Sequence, residues 1–106
     1  MKQYTLKITD KALADMAAIY DYIADQLQSP EAAMQQYDRI AEAIETLSAF
    51  PERCPLLHSQ PEQSLGMRQL PVNHYVVIYV AGEETVTVLR VLYSASDINH
   101  RLRAEL

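Results

Sequence analysis

Residues 66–102 read GMRQLPVNHYVVIYVAGEETVTVLRVLYSASDINHRL, and the fold is decided in this stretch. Three strand-like runs follow one another in it: Met67–Val72, Tyr75–Val80 and Thr85–Tyr93. Each is rich in β-branched and aromatic residues and bounded by turn formers, the pattern of a strand rather than a helix. Ala81-Gly82-Glu83-Glu84 joins the last two, a connection short enough for a hairpin. Alternation assigns Val76, Ile78 and Val80, with Val86, Val88 and Leu92, to the buried face of the resulting sheet. Arg90 falls in that set too, inside the apolar run TVTVLRVLY. Burying its charge unpaired costs several kcal/mol, so it must be paired or reach solvent. One reading is a donor fork facing an anion or phosphate. The preferred one is an ion pair, to Asp97 or to a glutamate of a neighbouring element.

Upstream of this stretch the period changes. Tyr4, Leu6 and Ile8 alternate with polar residues, predicting a half-buried strand over 3–9. Asp10 is the expected cap of a helix over Lys11–Gln28. Its apolar face is Leu13, Met16, Ala17, Tyr20, Ile23, Ala24 and Leu27, with Asp15, Asp21 and Asp25 off the stripe. Ser29-Pro30-Glu31 opens a second helix running to about Ala49, with Ala33, Met34, Tyr37, Ile40, Ala41, Ile44 and Leu47 inward. Phe50-Pro51 stops it. The dipeptide Ser29-Pro30 is all that separates the helices, which therefore form an antiparallel hairpin. Residues 51–65, with three prolines, read as a surface loop. Beyond Tyr93, Ile98, Leu102 and Leu106 suggest a short terminal helix.

The fold class is therefore α+β: an N-terminal strand, a helical hairpin on one face, and a three-stranded antiparallel meander completing a mostly antiparallel sheet. Residues 1–106 are expected to form one domain, its other sheet face left partly open. No apolar run approaches the roughly 18 residues of a membrane span. MKQYTLKITD lacks the apolar core of a secretory signal. With one cysteine, Cys54, a reducing cytoplasm is the expected location. A net charge of −5 argues against a surface built as a whole to hold nucleic acid. A local basic site is still open, because five of the six arginines follow residue 50: Arg53, Arg68, Arg90, Arg101 and Arg103.

Few chemistries survive a search for motifs. Two glycines nearly exclude a phosphate-cradling loop, and GxGxxG, HExxH and GxSxG are all missing. Cys54 and His58 have one helical spacing but lack a second ligand pair, so neither a metal nor a cofactor is expected. The residues of interest are on the sheet: Arg68 at the start of a strand, Tyr93 at the end of one, and Tyr75 and Tyr79 sharing a face.

Taken in order, the opening strand with KALADMAAIYDYIA, SPEAA with AIETLSAFPERCP, GMRQLPVNHYVVIYV and VTVLRVLYSASD resemble the RelE/ParE superfamily of bacterial toxin–antitoxin toxins. The resemblance implies a small toxin held inactive by a cognate antitoxin. RelE-like members are ribosome-dependent endonucleases of messenger RNA that use basic residues and a terminal Tyr or His; ParE-like members lack that basic set and poison DNA gyrase. By this resemblance Arg68, Arg90 and Tyr93 are the candidate catalytic residues. His74, Tyr75, Asp97 and Arg101 are the candidate target contacts, with His74 also a distant candidate base. Ser94-Ala95-Ser96 stands where the family usually has glycine followed by basic residues, and the lysine cluster before the second strand is missing. Metal-free RNA cleavage needs an acid, a base and cations around the developing charge. The thin set here favours the ParE-like gyrase mode over a metal-independent messenger-RNA endoribonuclease. A third reading is a non-toxic interaction module derived from the fold.

Overall fold

The computed structural model describes residues 3–94, so Asp97, Arg101 and the terminal helix expected around Ile98 and Leu102 lie outside the described residues. Strand β1 (Thr5–Ile8) leads into helix α1 (Asp10–Asp21), and helix α2 (Pro30–Thr46) returns antiparallel to it. Strands β2 (Met67–Val72), β3 (Tyr75–Ala81) and β4 (Thr85–Tyr93) follow as a meander. The sheet order is β1-β4-β3-β2, with β1 parallel to β4 and the other pairs antiparallel. The expected α+β architecture is the observed one.

The caps explain where the helices begin. Asp10, expected as the cap of α1, is instead its first residue. Thr9 is the cap: its Oγ1 accepts from the Ala12 amide at 3.1 Å and donates to the Leu89 carbonyl at 3.0 Å. Ser29 caps α2 as expected, accepting from the Ala32 amide at 3.3 Å, with Pro30 in the first turn. The first helix does not run regularly to Gln28. It widens into a π-helical turn at Tyr22–Gln26, closed from Leu27 N–H to the Tyr22 carbonyl. Gln28 then takes a φ of 52° to reverse the chain. Helix α2 ends at Thr46, earlier than expected, where the Arg53 guanidinium donates to the exposed Thr46 carbonyl and hydroxyl.

The core corrects the expected faces. Ala12, Met16, Ile40, Ile44 and Leu47 of the helical layer pack on Val77, Tyr79, Val86, Val88 and Val91 of the sheet. Val76, Ile78 and Leu92 form a second cluster on the opposite face with Leu57 and Met67, and Val80 packs against it. The six residues assigned to one face are thus split between two. The cause is a bulge: Ile78 pairs with Arg90 but Tyr79 pairs with Val88, leaving Leu89 as the extra residue. One inserted residue resets the period of two, so Val91 rejoins the face of Val88. Leu13, Leu27 and Met34, expected to face inward, are instead exposed. Residues 51–65 are more than a surface loop. Leu57 and Glu62 are buried in this segment, and Leu56 bridges to Arg68 along the β2 edge.

Candidate functional site

Strand β1 is four residues long and pairs only with Thr85–Val88 of the nine-residue β4. From Leu89 to Tyr93, β4 therefore has no strand on that side among the described residues, and backbone groups there need other partners. Helix α1 supplies them. Thr9 Oγ1 takes the Leu89 carbonyl, and the Asp15 carboxylate accepts from the Val91 amide at 2.9 Å. The same carboxylate receives two bonds from Arg90, Nε to Oδ2 at 2.7 Å and a terminal nitrogen to Oδ1 at 2.9 Å. Arg90 is indeed held in an ion pair, but its partner is an aspartate of α1, 75 residues earlier, among the described residues. The Asp15 bonds and charge hold the guanidinium pKa above its ordinary value, outweighing the opposing effect of burial.

Past this ion pair, α1 and its π-turn diverge from the end of the sheet and leave a groove of about 600 Å³. Ile19, Val91 and Leu92 are among its apolar lining residues, and Tyr22, Leu27, His74, Tyr75 and Tyr93 also line it. The β2–β3 turn is held in place by Asn73, which accepts a φ of 56°, and by Ser94. The Ser94 amide and hydroxyl both donate to the His74 carbonyl at 2.8 Å. Tyr75 and Tyr93 sit opposite one another in the β3–β4 register, their rings edge to face at 5.8 Å. The Tyr75 phenol is pushed above its usual pKa by burial first, then by the nearby Tyr93 and Tyr22 phenols.

The fold therefore brings Tyr93, His74 and Tyr75 together, with Arg90 tied to Asp15 at the groove. Arg68 is not part of this group. On β2, on the far side of β3, it donates to the Cys54 carbonyl at 2.7 Å and the Glu52 carbonyl at 3.3 Å. There it pins the segment that Tyr79 also holds through its hydroxyl, which donates to the Pro51 carbonyl. Sequence reasoning passed over Asp15, Tyr22 and Leu27 as site residues. The signal was present: Asp15, Ala18, Ile19 and Tyr22 recur at helical spacing and form a second stripe beside the core stripe. Among the described residues, no three His, Cys, Asp or Glu side chains are grouped so as to hold a metal ion. Nor is any helix among them long and apolar enough to cross a membrane.

A sequence model of the ParE toxin of type II toxin–antitoxin systems matches residues 6–98. Toxin RelE2 of Caulobacter vibrioides is 34% identical over 88 residues, covering 82% of this chain and 91% of that protein. The solved chromosomal ParDE system from P. aeruginosa aligns with a TM-score of 0.72 and 26% identity, over 86% of this chain and 96% of that one. The RelBE2 toxin–antitoxin complex of Mycobacterium tuberculosis shares the fold at a TM-score of 0.63 and 23% identity, over 91% and 97% of the two chains. The archaeal RelE–RelB complex of Pyrococcus horikoshii does so at 0.58 and 17%, over 88% and 97%. With a family match running from β1 past the end of β4, the chain belongs to the ParE toxin family of type II toxin–antitoxin systems.

Proposed function

We propose that this toxin arrests growth by binding a protein target, DNA gyrase, and that a cognate antitoxin neutralises it. The observation that carries this reading is the commitment of Arg90, whose Nε and one terminal nitrogen are both bonded to Asp15. A metal-free ribonuclease needs cations free to meet the phosphorane charge beside its acid and base. Here the Arg90 charge is already balanced, and Arg68 lies across β3 from Tyr93, bonded to two backbone carbonyls. A net charge of −5 adds no attractive field for RNA. In this proposal His74 and Tyr75 stay target contacts, Tyr93 joins them, and catalytic roles for Arg68, Arg90 and Tyr93 are set aside. An antitoxin partner is supported by relatives solved as toxin–antitoxin complexes.

Inducible expression in a bacterial host tests the proposal. The expected result is growth arrest, accumulation of gyrase-cleaved DNA, intact ribosome-bound messenger RNA, and rescue by the small protein encoded next to this one. Cleaved messenger RNA without gyrase-cleaved DNA establishes the RelE-like ribonuclease reading instead. Normal growth with soluble protein establishes the non-toxic interaction module.

A further inference from the structure

The groove has a one-sided chemistry. Among the described residues, its lining includes a carboxylate, an imidazole, three phenol rings and aliphatic side chains, and neither a lysine nor an arginine. Arg90 is bonded to the lining residue Asp15 and is not itself among the described lining residues. Among the described lining residues an anion meets no balancing charge, whereas a cation meets the negative faces of Tyr22, Tyr75 and Tyr93. Tyr22 and Tyr93 are 55% and 50% exposed, and Leu27 beside them is 59% exposed. The raised pKa of Tyr75, caused in part by both other phenols, is consistent with the three hydroxyls sharing one space. Ile19 and Val91 add apolar lining suited to an aliphatic stem.

We propose that this groove receives an arginine or lysine side chain, flanked by aliphatic residues, from the antitoxin. The claim rests on the antitoxin reading above and adds the chemistry of the docking segment. That segment is basic and aliphatic, complementing a toxin whose own net charge is −5.

Two titrations test this, the first followed by calorimetry and the second by NMR. In the first, the protein encoded beside this one is bound to the wild type and to Tyr22→Ala, Leu27→Ala and Tyr93→Leu, each checked for unchanged thermal unfolding. Each variant is expected to weaken binding on the order of tenfold. Exchanging the antitoxin's Arg and Lys residues singly for Met should reveal one exchange with a similar loss, non-additive with Tyr93→Leu. Unchanged affinity for the groove variants, or full additivity at every basic position, overturns the docking proposal and leaves the antitoxin reading standing. In the second, 15-residue peptides with a Leu/Ile stripe carry a central Arg or its neutral isostere citrulline. Perturbation of the Tyr22 and Tyr93 ring resonances by the Arg peptide, and not by the citrulline one, is expected. Equal responses overturn the proposal even where the neighbouring protein does not bind at all, the outcome that instead removes the antitoxin reading.

Discussion

At the scale of single residues, Asp15 ties helix α1 to strand β4 through three hydrogen bonds. Its two oxygens accept from an arginine whose side chain is 11% exposed and from a strand amide that no other described strand reaches. Asp15→Ala removes two bonds to a largely buried guanidinium and the acceptor of the Val91 amide, and is expected to cost about 3 kcal/mol in denaturant unfolding. Asp15→Asn keeps an acceptor for the Val91 amide and should cost less; an equal loss in both would mean that the backbone bond contributes nothing. Tyr79 is fully buried, and burial first, with Cys54 beside it, pushes its phenol well above the usual tyrosine range. The raised value means that the folded state keeps its proton where the unfolded chain loses it. This contribution is complete below about pH 10 and declines as pH rises further. Stability is therefore expected to fall above pH 10, and less steeply in Tyr79→Phe, which should itself cost about 1 kcal/mol near neutrality. Parallel pH profiles for the two proteins would refute the assignment. That Arg90 must be paired was legible in its apolar neighbours; that Asp15 would pair it was not, since nothing local links positions 75 residues apart.

At the scale of elements, strand positions were read almost to the residue, because alternation and turn formers are local signals. β3 extends one residue past its expected end, to Ala81, and the β2 and β4 boundaries are those expected. The bulge at Leu89 was hidden. The run TVTVLRVLY alternates smoothly enough to conceal an insertion that exists only relative to β3. Helix caps differ in reach, and that gives an element-scale prediction. Thr9 both caps α1 and bonds the bulge carbonyl, whereas Ser29 accepts only from its own helix. Ser29→Ala is expected to cost about 1 kcal/mol, an ordinary cap loss, and Thr9→Ala about 1 kcal/mol more for the second bond. Thermal unfolding of both variants decides it, and equal losses would deny Thr9 its second role.

At the scale of the whole molecule, net charge bears on the choice between protein binding and RNA cleavage. A chain at −5 has little to gain from counterion release on a polyphosphate. The protein is expected to show no salt-dependent retention of single-stranded RNA in filter binding at about 0.15 M salt. Retention that falls steeply with salt would restore the ribonuclease reading by revealing a basic surface. Shape matters as much as charge. The groove exists because a four-residue strand is laid against a nine-residue one and a helix must cross the remaining edge. Lengthening β1 past Ile8 would close that space.

The sequence by itself determined the elements, their order, the α+β class and the acidic balance, because periodicity, caps and composition are set by near neighbours and totals. Only the tertiary structure decided how β4 is registered on β3, which carboxylate meets Arg90, and that Arg68 and Tyr93 work at different ends of the sheet. Each of these depends on pairing between distant segments. A parallel strand from residue 5 set against residue 85 leaves no trace in either neighbourhood alone, yet it fixes where the groove opens.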